Sequence, residues 1–138
     1  MKLKKKLSVC VVTHIIDANT NPYIENKMIG ETIYSSHQKM GLEDVKYYVY
    51  IDSTFKQTHS NLYDDYEKYL IKLFSDKRYD NINIEIVKDS KKLLRGNYID
   101  CVSRCKTPYM LFLEHDWEFV NKIPTKNIIK TLDNSEFI

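Results

Sequence analysis

Tyr109-Met-Leu-Phe-Leu-Glu-His-Asp116 sets five apolar residues directly before Glu114, His115 and Asp116. A run this apolar, with an aromatic residue at its head, predicts a strand buried in a sheet. The acidic groups then stand where the chain leaves the core. Upstream, Leu93, Leu94, Asn97, Tyr98, Cys101, Val102 and Cys105 recur at i, i+3 and i+4, which predicts a helix. Ser90 is its expected N-cap, and Thr107-Pro108 ends it because the residue before proline avoids helical ψ.

The same pattern continues toward the N-terminus. Ile82–Val87 alternates Ile82, Ile84 and Ile86 with Asn83 and Glu85, as an edge strand does. Asn61–Arg78 reads as a helix, and Val45–Asp52 as an aromatic and β-branched strand. Met28–Met40 reads as a helix stopped by Gly41. Ile15–Lys27 is polar and turn-forming, and Leu7–Thr13 is a β-branched run suited to a strand covered on both faces. The order β-α-β-α-β-α-β predicts an α/β, Rossmann-like, mostly parallel sheet with helices on both faces. Ligands of such sheets bind outside the carboxyl ends of the strands. Thr13-His14, Asp52-Ser53 and Glu114-His115-Asp116 therefore fall on one edge.

Alternate residues of an extended segment share a face, so Glu114 and Asp116 are expected to point the same way with His115 turned aside. Two carboxylates converging there call for a positive partner. A hard divalent cation, Mn²⁺ or Mg²⁺, takes oxygen ligands and bridges a diphosphate. Other chemistries lack their motifs: no Gly-x-Gly-x-x-Gly, phosphate loop or Gly-x-Ser-x-Gly occurs. His14, His37, His59 and His115 show no paired ligand spacing.

A chain of 138 residues suffices for a single domain. Its net charge of +2, from 21 basic and 19 acidic residues, lacks the clustered excess of a nucleic-acid binder, so no nucleic-acid partner is expected. Lys2, Lys4, Lys5 and Lys6 read as a solvated basic tail over residues 1–6, with a peripheral contact to an anionic membrane left open. The apolar stretch after them is too short and lacks a cleavage site for a signal peptide. Nothing approaches the ~20 apolar residues of a membrane span, so no transmembrane segment is expected. Three cysteines, Cys10, Cys101 and Cys105, without framework spacing suggest reduced thiols and a cytoplasmic location.

These residues resemble the nucleotide-diphospho-sugar transferases of the GT-A fold, in particular glycosyltransferase family 2. Ser8-Val-Cys-Val-Val-Thr13 is similar to the family's first strand, with Val12 where proline usually stands. Ser35-Ser36-His37-Gln38 and Val49-Tyr-Ile-Asp52-Ser-Thr54 match its next elements in part. Tyr109-Met-Leu-Phe-Leu-Glu-His-Asp116 resembles its final strand and metal motif, with Glu114 in place of the first aspartate. Arg95-Gly-Asn97 falls about one helical turn before the family's Ala-Arg-Asn.

The resemblance spans residues 7–120 and implies roles for particular residues. Thr13, His14 and the loop after them would hold the base and ribose, and Asp52 would accept hydrogen bonds from the base. Arg95 would reach a phosphate, Asp116 would bind Mn²⁺ or Mg²⁺, and Glu114 would assist at the metal, ribose or a bound water. The donor would be a nucleotide-diphosphate sugar and the acceptor a glycan, lipid or protein. No catalytic base is assigned. In that family the acceptor site lies beyond the metal motif, so residues 1–138 read as a single donor-binding domain truncated after it. Residues 121–138, with Pro124, Ile128, Ile129 and Leu132, would begin the acceptor-side region. A non-catalytic nucleotide-binding module and a Rossmann-like interaction domain are the alternatives.

Overall fold

Every residue of Leu7–Thr13 is buried, as a β-branched run without polar alternation requires. In the computed structural model of the protein, which describes residues 1–16 and 26–135, this segment is strand β1. Lys46–Ile51 forms β2, Asn83–Val87 β3 and Tyr109–Glu114 β4. The helices are α1 (Lys27–Met40), α2 (Ser60–Phe74), α3 (Leu93–Arg104) and α4 (Thr125–Asp133). The strands make one all-parallel sheet in the order β3-β2-β1-β4. The protein is thus α/β and Rossmann-like, with four α-helices among the described residues. Asp17, Asn19, Asn21, Pro22 and Glu25, the turn formers of the Ile15–Lys27 segment, lie outside those residues.

Strand alternation divides the core in two. Val9, Val11, Tyr47, Val49, Ile51 and Leu113 meet Ile29 and Ile33 of α1, Tyr63, Tyr66 and Leu70 of α2, and Ile129 of α4. On the other face Cys10, Val12, Tyr50 and Val87 meet Cys101 of α3. The strand order explains this split. The chain steps one way from β1 to β3 and then returns across β1 to β4. Crossovers of a single hand put the returning helix on the opposite face.

Helix ends follow local chemistry. Asn26 caps α1 by accepting from the N–H groups of Met28 and Ile29. Gly41 ends it at φ +62°, where its N–H reaches the His37 carbonyl. Inside α1, Gly30 faces Tyr79, and a Cβ there would overlap the Tyr79 hydroxyl.

Four expectations change. The helix expected to run to Arg78 stops at Phe74, and a 3₁₀ turn at Lys77–Tyr79 follows, started by the Asp76 carboxylate on the Arg78 N–H at 2.9 Å. Ser90 is not the cap of α3; its hydroxyl bonds Tyr63 at 2.9 Å, and the helix begins at Leu93. Of the apolar stripe on α3 only Asn97 and Cys101 are buried, because α3 covers its sheet face alone and nothing among the described residues covers α3. In the basic tail Lys2, Lys4 and Lys5 are solvated as expected, but Leu3–Lys5 is a 3₁₀ turn with Leu3 buried, and Lys6 pairs with Asp133 at 2.9 Å. No helix among the described residues is long and apolar enough to cross a membrane.

Candidate functional site

β1 sends its connection toward β2, whereas β4 receives its own from the far side of the sheet. Between them lies the topological switch point, where helices leave to opposite faces and a crevice opens at the carboxyl ends. Val12 stands opposite Glu114, so Thr13 and His115 follow side by side. The Asp52 N–H donates to the Thr13 carbonyl at 2.7 Å, which holds the end of β2 to the same edge.

Thr13 is fully buried. Its Oγ1 lies 2.6 Å from the Tyr66 hydroxyl and 2.8 Å from Nδ1 of His115. Asn26 Nδ2 reaches the same ring nitrogen at 2.8 Å. Because Asn26 Oδ1 accepts from the start of α1, the amide is oriented and its NH₂ must donate to His115. Nδ1 therefore carries no proton, so Thr13 donates to it and Tyr66 donates to Thr13. This assignment rests on the hydrogen-bond network. Burial, and secondly the neighbouring His14, hold the His115 pKa down to about 4 against the opposing pull of Asp116. The His14 and His115 rings lie 4.7 Å apart, tilted.

His115 is turned into the core, away from Glu114, as Leu113 at the same strand parity is. Extended geometry ends at Glu114, however, and residues 115–116 form a turn, so the turn rather than strand alternation sets the direction of Asp116. Glu114 is half-buried and helps to raise the pKa of Tyr98 on α3, after burial of that phenol. Asp116 is exposed and acts electrostatically on His115.

Asp52 has a structural task. Its Oδ1 accepts from Thr54 N at 2.8 Å and from Leu93 N at 2.9 Å, which makes an Asx turn and ties down the start of α3. Arg95 lies exposed in the first turn of α3 and joins no ion pair among the described residues. The structure therefore brings Thr13, His14, Glu114 and Asp116 together at the β1–β4 crevice, with Asp52 at the adjoining strand end.

Sequence reading missed the side chains that hold this crevice in shape. Besides Asn26 and Tyr66, Thr32 Oγ1 donates to the Trp117 carbonyl at 2.5 Å and Ser35 Oγ accepts from Phe119 N at 2.9 Å. Both are buried on α1, and their i, i+3 spacing on one helix face was the visible signal. Asn97, fully buried, accepts from Lys91 N at 2.8 Å and donates to the carbonyls of Lys91 and Leu93 at 2.9 and 2.8 Å.

No group of three or more His, Cys, Asp or Glu that could hold a metal ion occurs among the described residues. Glu114 and Asp116 offer hard oxygen donors without a full shell. That suits a cation such as Mg²⁺, which keeps water and takes one or two carboxylates together with substrate phosphates. Compared with models of known protein families, with curated proteins and with solved structures, the chain matches none.

Proposed function

We propose that this chain is the donor-binding part of a cytoplasmic glycosyltransferase. It binds a nucleotide-diphosphate sugar with Mn²⁺ or Mg²⁺, and the sugar passes to a glycan, lipid or protein acceptor. One observation carries the reading: an acidic strand exit, Glu114 to Asp116, stands at the switch point beside the carboxyl end of β1. Asp116 and Glu114 would hold the cation, with phosphate oxygens and water completing its shell. Bound there, it would neutralise charge on the departing nucleoside diphosphate.

The chain's own residues supply position. The Tyr66–Thr13–His115–Asn26 network fixes the turn that carries Asp116. Thr32 and Ser35 hold the segment after it. Arg95, which joins no ion pair among the described residues, offers its cation to a phosphate, and His14 lines the crevice beside His115.

Titration calorimetry with UDP, GDP and dTDP, each with and without Mn²⁺, tests this reading. Binding of one nucleotide is expected to require the metal and to be lost in Asp116→Ala. Mn²⁺ alone is expected to bind weakly, since two carboxylates leave most of its shell to other ligands. A folded protein that binds none of the three would sink the proposal. A second reading, a nucleotide-binding module without catalysis, is favoured by the burial of His115 in a structural network. Sugar-nucleotide hydrolysis or transfer separates the two.

A further inference from the structure

We propose that the tip leading into α3, Lys88–Arg95, is a docking surface for an anionic lipid membrane. Leu93 and Leu94 are 62% and 43% exposed, and they stand between the exposed cations Lys91, Lys92 and Arg95, with Lys88 exposed just before. None of these four cations joins an ion pair among the described residues. The acid within the stretch, Asp89, lies 3.9 Å from Arg104. The neighbouring loop adds exposed Phe55 and Lys56, because Leu93 N also reaches Thr54 Oγ1 at 3.2 Å.

The backbone fixes how the patch is presented. Leu93 has φ +62°, a left-handed conformation that a bulky residue seldom adopts. It is held there by the buried Asn97, which bonds both Lys91 and Leu93, and by Asp52 on the Leu93 N–H. Strain of this kind persists only where surrounding structure enforces it. Here the result is an aliphatic side chain presented rigidly to solvent amid positive charge.

The pairing of features selects the partner. Anionic lipid provides a diffuse negative potential for unpaired cations and an apolar layer for the leucines. Nucleic acid would satisfy the charge and stack on Phe55, but the more exposed apolar groups, Leu93 and Leu94, gain little from bases. Lys4 and Lys5 make a weaker candidate, since the leucine beside them is buried and Lys6 is paired with Asp133. Ser53 N donates to the Lys91 carbonyl at 3.0 Å, so the tip sits at the carboxyl edge of the sheet. Docking would turn that edge toward the membrane, and it does not depend on the donor-site reading.

Sedimentation of the full chain with vesicles, without nucleotide, is the test. Vesicles of phosphatidylcholine with about one-third phosphatidylserine are expected to bind it, and phosphatidylcholine alone is not. Raising salt should weaken binding. Leu93→Asn with Leu94→Ser is expected to lower partitioning roughly tenfold; asparagine tolerates the left-handed backbone, and circular dichroism checks the fold. Leu94→Ser alone gives the same direction without touching the strained residue. Lys91→Ala with Lys92→Ala should lower partitioning by roughly fivefold per residue. The proposal is overturned by no binding to anionic vesicles, by equal binding to neutral ones, or by binding that the leucine variants leave unchanged. Binding that follows Lys4→Ala with Lys5→Ala instead of Lys91 and Lys92 overturns it as well.

Discussion

Asn26 uses both ends of one amide, capping α1 with its oxygen and holding His115 with its nitrogen. That division makes a sharp prediction. Asn26→Asp keeps an oxygen for the cap but replaces the N–H donor with a negative charge. The His115 ring should then take a proton on Nδ1, and its pKa should rise well above the present value of about 4. An NMR titration of the ring protons reads this directly. The wild-type ring also shapes stability against pH. Its folded pKa lies below the ordinary value of 6.5, so the unfolded chain binds the extra proton first. The contribution is full above about pH 6.5 and is lost as pH falls toward 4, amounting to roughly 3 kcal/mol. His37, lowered by burial, adds in the same direction. Urea unfolding between pH 4 and 7 should show the slope, and His115→Gln should flatten most of it. Thr13 and His115 were legible as strand-end residues, but their mutual bond was not. The parity that makes Val11 and Leu113 core residues also points Thr13 and His115 inward, and reading the acidic triplet for its charge hid that.

Among the elements, α3 departs furthest from its sequence pattern. Periodicity located the helix but not the amount of structure lying over it, since a stripe of leucine and valine looks the same whether covered or bare. Its one buried polar side chain is the more informative residue. Asn97→Ala would strand the Lys91 N–H and remove two further bonds, to the Lys91 carbonyl that Ser53 N also reaches and to the Leu93 carbonyl, with an expected loss of roughly 1–3 kcal/mol in denaturant unfolding. Asn97→Asp keeps the acceptor but turns a buried carboxylate oxygen toward both carbonyls, and should cost at least as much. In α1, Gly30→Ala sets two effects against each other. Alanine favours the helix by about 1 kcal/mol, yet its Cβ collides with the Tyr79 hydroxyl, on a ring packed edge-on against Phe74. Overpacking typically costs about 1–3 kcal/mol, so a net fall in melting temperature is expected. The edge position of β3, by contrast, was plain from its alternation of isoleucine with Asn83 and Glu85. That of β4 was not, because an apolar strand gives no sign of which neighbour it lacks.

For the whole molecule, the strand order predicts a gradient of protection. β1 and β2 have a partner on each side, and β3 and β4 have one each. Hydrogen exchange should therefore be slowest for amides of β1 and β2 and faster in the outer strands; uniform protection across the sheet would contradict this. The alternation of strands and helices made the α/β class readable, and the crevice followed from a general rule about strand ends. The direction of Asp116 depends on a turn at 115–116 that local sequence does not announce. The polar hub has a temporal consequence. Thr13 and His115 are separated by 102 positions, so β1 leaves the ribosome long before β4 exists. At roughly 5–20 residues per second, one flank of the central strand and the hydroxyl of Thr13 wait on the order of ten seconds for their partner. Until His115 arrives the nascent chain holds an open edge and an unfinished polar cluster, which makes the synthesis of β4, rather than that of β1, the step that commits this sheet to its final order.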